Sequence, residues 1–148
     1  MTEISPHSGF IKRNIHYFPL RVYYEDTDIG GVVYYANYFK FMERARSEML
    51  RVLGIDQAKM LDYTNSGDIS FVVRHAEVEF KAPARFDDSL IVTTEILRVG
   101  GASIVMKQNI LKEKEILLES IIKAAVIGEN GKAKRMPKSI LSKLKLIN

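Results

Sequence analysis

The chain has no cysteine, four prolines among 148 residues, and no apolar run approaching the roughly 20 residues that a membrane-spanning helix needs. Without cysteine there is no disulfide framework, no thiol nucleophile and no thiolate metal site. The first residues, Met1-Thr2-Glu3-Ile4-Ser5-Pro6-His7, lack the basic start and apolar stretch of a secretory signal. A cytoplasmic location is therefore the expectation. Acidic residues are missing from Asn130 onward, where six basic ones stand: Lys132, Lys134, Arg135, Lys138, Lys143 and Lys145. Such a tail could meet nucleic acid, anionic lipid or the phosphates of a carrier, or it could be a solvated terminal helix. Apolar residues make up 47% and charged residues 27%, as in an ordinary globular chain long enough for one core.

Several catalytic signatures are also absent. Gly30-Gly31 and Gly100-Gly101 form neither a P-loop nor a dinucleotide fingerprint, and no Gly-x-Ser-x-Gly elbow occurs. Asp26-Thr27-Asp28 resembles the start of a calcium loop, but Gly30 stands at its fifth position and Asn37 at its twelfth, which excludes an EF-hand. His7, His16 and His75 have no metal-ligand spacing, so no metal is expected.

The pattern that is present predicts one domain. Residues 1–15 show no periodicity and read as a mobile lead-in to a domain over 16–148. Residues 16–25 read as a strand, irregular or at an edge around Pro19. Over 33–53 the spacing turns helical, with Tyr35, Phe39, Met42, Ala45, Met49 and Val52 on a common face and Gly54 as the stop. After a polar connection over 62–68, four strands are predicted at 69–81, 89–99, 103–112 and 116–127, separated by short turns that favour antiparallel neighbours. The tail over 137–146 reads as a short helix beginning near Pro137. One long helix and five strands imply an α+β domain with the helix against an antiparallel sheet.

The most informative stretch is Val22-Tyr23-Tyr24-Glu25-Asp26-Thr27-Asp28-Ile29-Gly30-Gly31-Val32-Val33-Tyr34-Tyr35-Ala36-Asn37-Tyr38. A carboxylate before a glycine turn, leading into a helix, stands near unsatisfied N–H groups and the positive end of the helix dipole. A base or nucleophile beside oriented N–H donors suits acyl transfer, whose oxyanions need them. A turn or helix-capping role for Asp28 is the plain alternative.

The same residues resemble the signature of the 4-hydroxybenzoyl-CoA thioesterase family, in its Tol-Pal-associated acyl-CoA thioesterase branch. Asp26, Asp28, Gly31, Val32, Val33, Tyr34, Tyr35 and Tyr38 carry the likeness. Glu43-Arg44-Ala45-Arg46-Ser47-Glu48, Phe71-Val72-Val73-Arg74, the run from Glu79 to Asp88, and Met136-Pro137-Lys138-Ser139-Ile140 extend it over most of the chain. The resemblance implies a hot-dog fold, a long central helix wrapped by a five-stranded antiparallel sheet, and a homodimer or homotetramer with sites at the subunit boundary. It implies hydrolysis of acyl-CoA to free acid and CoA without a cofactor, CoA entering only as part of the substrate.

By the same resemblance Asp28 is the catalytic carboxylate, as nucleophile or general base, and the Tyr35 N–H is the oxyanion donor. Gly31, Val32 and Val33 line the substrate path, and Tyr24 matches a further position linked to activity. The branch often has histidine where this chain has Tyr35, and a phenol is a poor base at neutral pH. Arg74, Lys81, Arg85 and Arg98 are candidates for the phosphates of CoA, and an acyl carrier protein could use the same basic surface. Another hot-dog activity such as hydration, a non-catalytic acyl-CoA or acyl-carrier adaptor, and a nucleic-acid binder acting through the tail are the competing readings.

Overall fold

The computed structural model describes residues 4–60 and 69–148, so the connection expected over 62–68 lies outside the described residues. Strands β1 (Phe10–Lys12) and β2 (Ile15–Arg21) lead through a short 3-10 turn (Tyr24–Asp26) to the long helix α1 (Asn37–Val52) and the single turn α2 (Gln57–Met60). Strands β3 (Ile69–Phe80), β4 (Ser89–Val99), β5 (Ser103–Lys112) and β6 (Glu115–Gly128) follow, and helix α3 (Lys138–Lys145) closes the chain. All strand pairs are antiparallel, in the order β1-β2-β4-β5-β6-β3.

The sheet thus has six strands rather than the expected five. The extra one comes from the segment read as a lead-in, where Phe10 pairs with Tyr17 and stacks on its ring. Three residues are too few to show periodicity, which is why the sequence did not betray it. The run expected as a strand over 16–25 ends at Arg21, and Tyr24 lies in the 3-10 turn. There the Tyr23 N–H donates to Asp26 Oδ2 at 2.8 Å, a local side-chain bond that competes with strand pairing.

The core follows the two periodicities. Alternate residues of β4, β5 and β6 face inward, among them Val92, Thr94, Ile96, Met106, Gln108, Ile110, Leu118, Ser120 and Ile122. Helix α1 lays Tyr38, Phe41, Met42, Ala45, Met49 and Leu50 on that face. This stripe is rotated from the one predicted. Val32 and Val33 are recruited into β-bridges with Arg85 and Thr27, so the helix begins only at Asn37 and Tyr35 stands before it.

Beneath Met42 a polar row crosses the apolar interior. Gln108 lies in register between Thr94 and Ser120, and its Nε2 donates to the Met42 carbonyl at 3.0 Å and to Thr94 Oγ1 at 2.9 Å. Arg46 Nη1 donates to its Oε1 at 2.9 Å, and Ser120 Oγ donates to its carbonyl at 2.7 Å. The bonds to Met42 and Arg46 fix the helix against the sheet and the other two lie between neighbouring strands; a buried amide left unpaired would cost about 1–3 kcal/mol.

The basic tail is docked on the body of the domain. Met136, Leu144 and Ile147 are buried against the core near Met49 and Leu50, and Lys143 Nζ donates to the Gly54 carbonyl at 2.8 Å. Gly54, at φ +79°, supplies the left-handed residue that ends α1, and Lys143 there complements the negative end of the helix.

Candidate active site

The segment between β2 and α1 is a tight hairpin. The Asp28 N–H donates to the Val32 carbonyl at 2.8 Å, and the Gly31 N–H donates to the Asp28 carbonyl at 3.0 Å. Gly31 has φ +78°, the conformation that closes such a loop and that a side chain would strain. Within the turn, Asp28 Oδ1 accepts from the Gly30 N–H at 2.8 Å and, more weakly, from Val32 at 3.4 Å. The carboxylate is exposed, and its Oδ2 has no partner among the described residues. The turn holds one oxygen and leaves the other facing solvent. Of the turn and helix-capping roles considered for Asp28, the bonds are those of a turn, and α1 has no side-chain cap.

The hairpin is clamped on both sides. Val33 N–H donates to the Ala84 carbonyl at 2.8 Å, Val32 bridges Arg85, and the buried Tyr38 hydroxyl accepts from the Ala84 N–H at 3.0 Å. Burial pushes the Tyr38 phenol above its ordinary pKa, so it stays a neutral anchor. Asp88 holds the facing loop, accepting from the Arg85 N–H at 2.8 Å and pairing with Lys112 at 2.9 Å. Burial pushes the Asp88 pKa up, but the Arg85 N–H and Lys112 outweigh it and hold the carboxyl below its ordinary value.

At the helix entry, the Asn37, Tyr38 and Phe39 N–H groups bond back to Tyr34, Tyr35 and Ala36 carbonyls. The N–H groups of Tyr35 and Ala36 are left without a partner among the described residues. The Tyr35 ring, 59% exposed, leans on Tyr34 and meets Phe80 edge-on at 6.1 Å. Tyr24 is 83% exposed and touches Phe86 edge-on at 5.9 Å, so it is neither on a strand nor buried.

The basic candidates do not form one surface. Arg85 bridges Val32 and so borders the Asp28 hairpin, and Lys81 follows Phe80, paired with Glu119 at 3.5 Å. Arg74 sits at a bulge in mid-β3, and Arg98 lies near the far end of β4, about 30 Å of strand away from Ser89 and the Asp88 loop. Asn37 and Asp26 were missed as positioning residues. An asparagine at the head of an apolar helical stripe was the available signal.

Among the described residues no group of three His, Cys, Asp or Glu side chains could hold a metal, and no helix is long and apolar enough to cross a membrane.

A six-stranded antiparallel sheet around one long helix, entered through an aspartate hairpin, is the hot-dog arrangement, and the chain belongs to the thioesterase superfamily, whose family profile matches residues 30–119. It is 43% identical over 130 residues to the acyl-CoA thioester hydrolase YbgC of Escherichia coli O157:H7, covering 86% of this chain and 94% of that one. The acyl-CoA thioesterase YbgC of Haemophilus influenzae is 42% identical over 79% of this chain and 83% of its own. Among solved structures, the probable thioesterase of Bartonella henselae superposes with a TM-score of 0.79 at 42% identity, over 83% of this chain and 99% of that chain.

Proposed function

We propose that this chain hydrolyses acyl-CoA thioesters at Asp28, releasing the free acid and CoA. The free Oδ2 of Asp28, held by a hairpin that runs into a helix start with two unused N–H groups, is the observation that carries the reading. In the nucleophilic route the carboxylate attacks the thioester carbonyl and the Tyr35 N–H receives the oxyanion. The C–S bond then breaks, the CoA thiolate takes a proton from water, and water opens the acyl-aspartyl anhydride to restore Asp28. In the general-base route Asp28 removes a proton from the attacking water instead. Names of the similar proteins, which act on acyl-CoA, support the substrate class.

The working unit of this reading is a homodimer, or a tetramer built from it. β3 is the last strand of the sheet, twelve residues long, with Val72, Val73 and Phe80 exposed. A long open edge with apolar side chains favours pairing with a second copy. Gly31, Val32 and Val33 would border the reacting thioester, and Arg85 and Lys81 the CoA phosphates. A cytoplasmic setting, an acyl carrier protein as alternative carrier, and an association with the Tol-Pal envelope system rest on the sequence resemblance.

The test is a panel of acyl-CoAs differing in length and aromaticity, with release of free thiol as the readout. Hydrolysis of at least one class is expected. Tight binding of acyl-CoA without release would favour the adaptor reading.

A further inference from the structure

Between the last turns of α1 and β3 lies a cavity of about 70 Å³. Its walls are mostly apolar, Met49, Leu50, Phe71, Val73, Met106 and Ala124 among them, with Ser47 and Gln57 as neutral polar groups and Arg46 as the one cation. Arg46 is partly buried, and of its five N–H donors only the bond to Gln108 is made among the described residues. No carboxylate stands within ion-pair distance of it there. Glu43 borders the same cavity, but its carboxylate accepts from Ser47 Oγ at 2.9 Å. Burial accordingly pulls the guanidinium pKa below its ordinary value, with only the more distant field of Glu43 opposing it. A guanidinium with unused donors at the wall of an apolar slot matches a ligand that is apolar along its length and ends in oxygen.

We infer that this cavity receives the acyl end of the substrate, and that Arg46 selects acyl groups ending in an oxygen acceptor, a terminal carboxylate above all. The inference rests on the thioesterase reading and on the edge-paired dimer above. Within one chain, Tyr38, Phe41 and Met42 fill the space between the hairpin and the cavity. A second copy changes the geometry. Antiparallel pairing of two β3 strands about a two-fold axis through their middle sets Phe80 of one copy opposite Ile69 of the other. Phe80 touches Tyr35, so the Asp28 hairpin of one copy comes beside the wall of the other copy's cavity that Phe71 and Val73 build. Each site then joins Asp28 from one chain with Arg46 from the other.

Steady-state hydrolysis of acetyl-CoA, pentanoyl-CoA and glutaryl-CoA by the full chain tests this, the last two acyl groups having equal carbon number and differing in the terminal carboxylate. The wild type is expected to prefer glutaryl-CoA in kcat/KM. Arg46→Met should lower that value about tenfold or more for glutaryl-CoA while changing pentanoyl-CoA far less, the usual scale for losing a charged contact. Because Arg46 also holds Gln108, Ala124→Leu provides an independent arm: filling the cavity from β6 should reduce both five-carbon substrates and spare acetyl-CoA. A heterodimer of one Asp28→Asn and one Ala124→Leu chain should regain about half the wild-type pentanoyl rate, since one of its two sites is intact. Equal wild-type rates on glutaryl- and pentanoyl-CoA, equal losses on both in a folded Arg46→Met, an indifferent Ala124→Leu, or an inactive heterodimer would each overturn the inference while leaving the hydrolase reading standing. A wild type that cleaves none of the three substrates overturns both.

Discussion

Asn37 Nδ2 donates to the carbonyl oxygen of Asp26 at 2.9 Å, and the same oxygen accepts from the Tyr34 N–H at 3.0 Å. One carbonyl therefore ties the acidic turn to the first residue of α1, so the Asp28 hairpin and the free N–H groups at the helix entry move as one body.

Removing that tie should loosen the site without removing a reacting group. Asn37→Ala is expected to lower kcat about tenfold with little change in KM, equivalent to about 1.4 kcal/mol in the barrier and within reach of one lost positioning bond. Steady-state kinetics on a readily cleaved acyl-CoA check it. A rise in KM at unchanged kcat would place Asn37 in substrate binding instead.

In the proposed mechanism Tyr35 acts through its backbone; its ring rests on Tyr34 and Phe80 and its hydroxyl has no partner among the described residues. Tyr35→Phe should keep most of the activity, and Tyr35→His should be tolerated. Loss in Tyr35→Phe as deep as that of an Asp28 variant would make the hydroxyl essential and overturn the backbone account.

The fold was legible where periodicity carries it. β4 and β5 fall at the predicted residues, and β3, β6 and α3 within one or two, because alternation and turn residues are local signals. The start of α1 was not legible. Val33 is expected to start the helix, but it and Val32 are held by Thr27, Ala84 and Arg85, partners up to some fifty residues away. The same long-range clamp turns Tyr35 out of the helix face. The place of Asp28 before Gly30-Gly31 fits a turn as well as a reactive carboxylate, and only the family resemblance favours the second, whereas the dispersal of Arg74, Lys81, Arg85 and Arg98 depends on strand direction, which no local pattern states.

His16 makes stability depend on pH. It is fully buried, its Nε2–H donates to the Ser8 carbonyl at 2.8 Å, and its Nδ1 has no partner. Burial lowers its pKa from the ordinary 6.5, against the opposing pull of the Ser8 carbonyl and Glu48. The folded chain thus keeps the ring neutral where the unfolded chain would protonate it. The stability this group contributes is whole above pH 6.5 and falls as the pH drops toward the lower folded pKa. Denaturant melts between pH 7.5 and about 5.5 should show a fall in stability with falling pH that is steeper than in His16→Leu. Equal slopes in both proteins would contradict this.

Arg85 and Lys81 should serve the carrier rather than the reaction. Replacing both with Gln is expected to raise KM for acyl-CoA about threefold to tenfold at nearly constant kcat, and to leave a short thioester without the nucleotide almost unaffected, since contacts far from the carbonyl act alike in ground and transition states. Parallel losses on both substrates would assign these side chains to structure.

The central claim is that Asp28 carries the chemistry, and Asp28→Asn tests it most directly. The amide oxygen can still accept from the Gly30 N–H, so the hairpin and the melting temperature should be preserved while the free oxygen loses its charge. Free-thiol release under single-turnover conditions should slow by at least about a hundredfold, the scale of a lost base or nucleophile. A folded Asp28→Asn protein that keeps most of the wild-type rate would contradict the account.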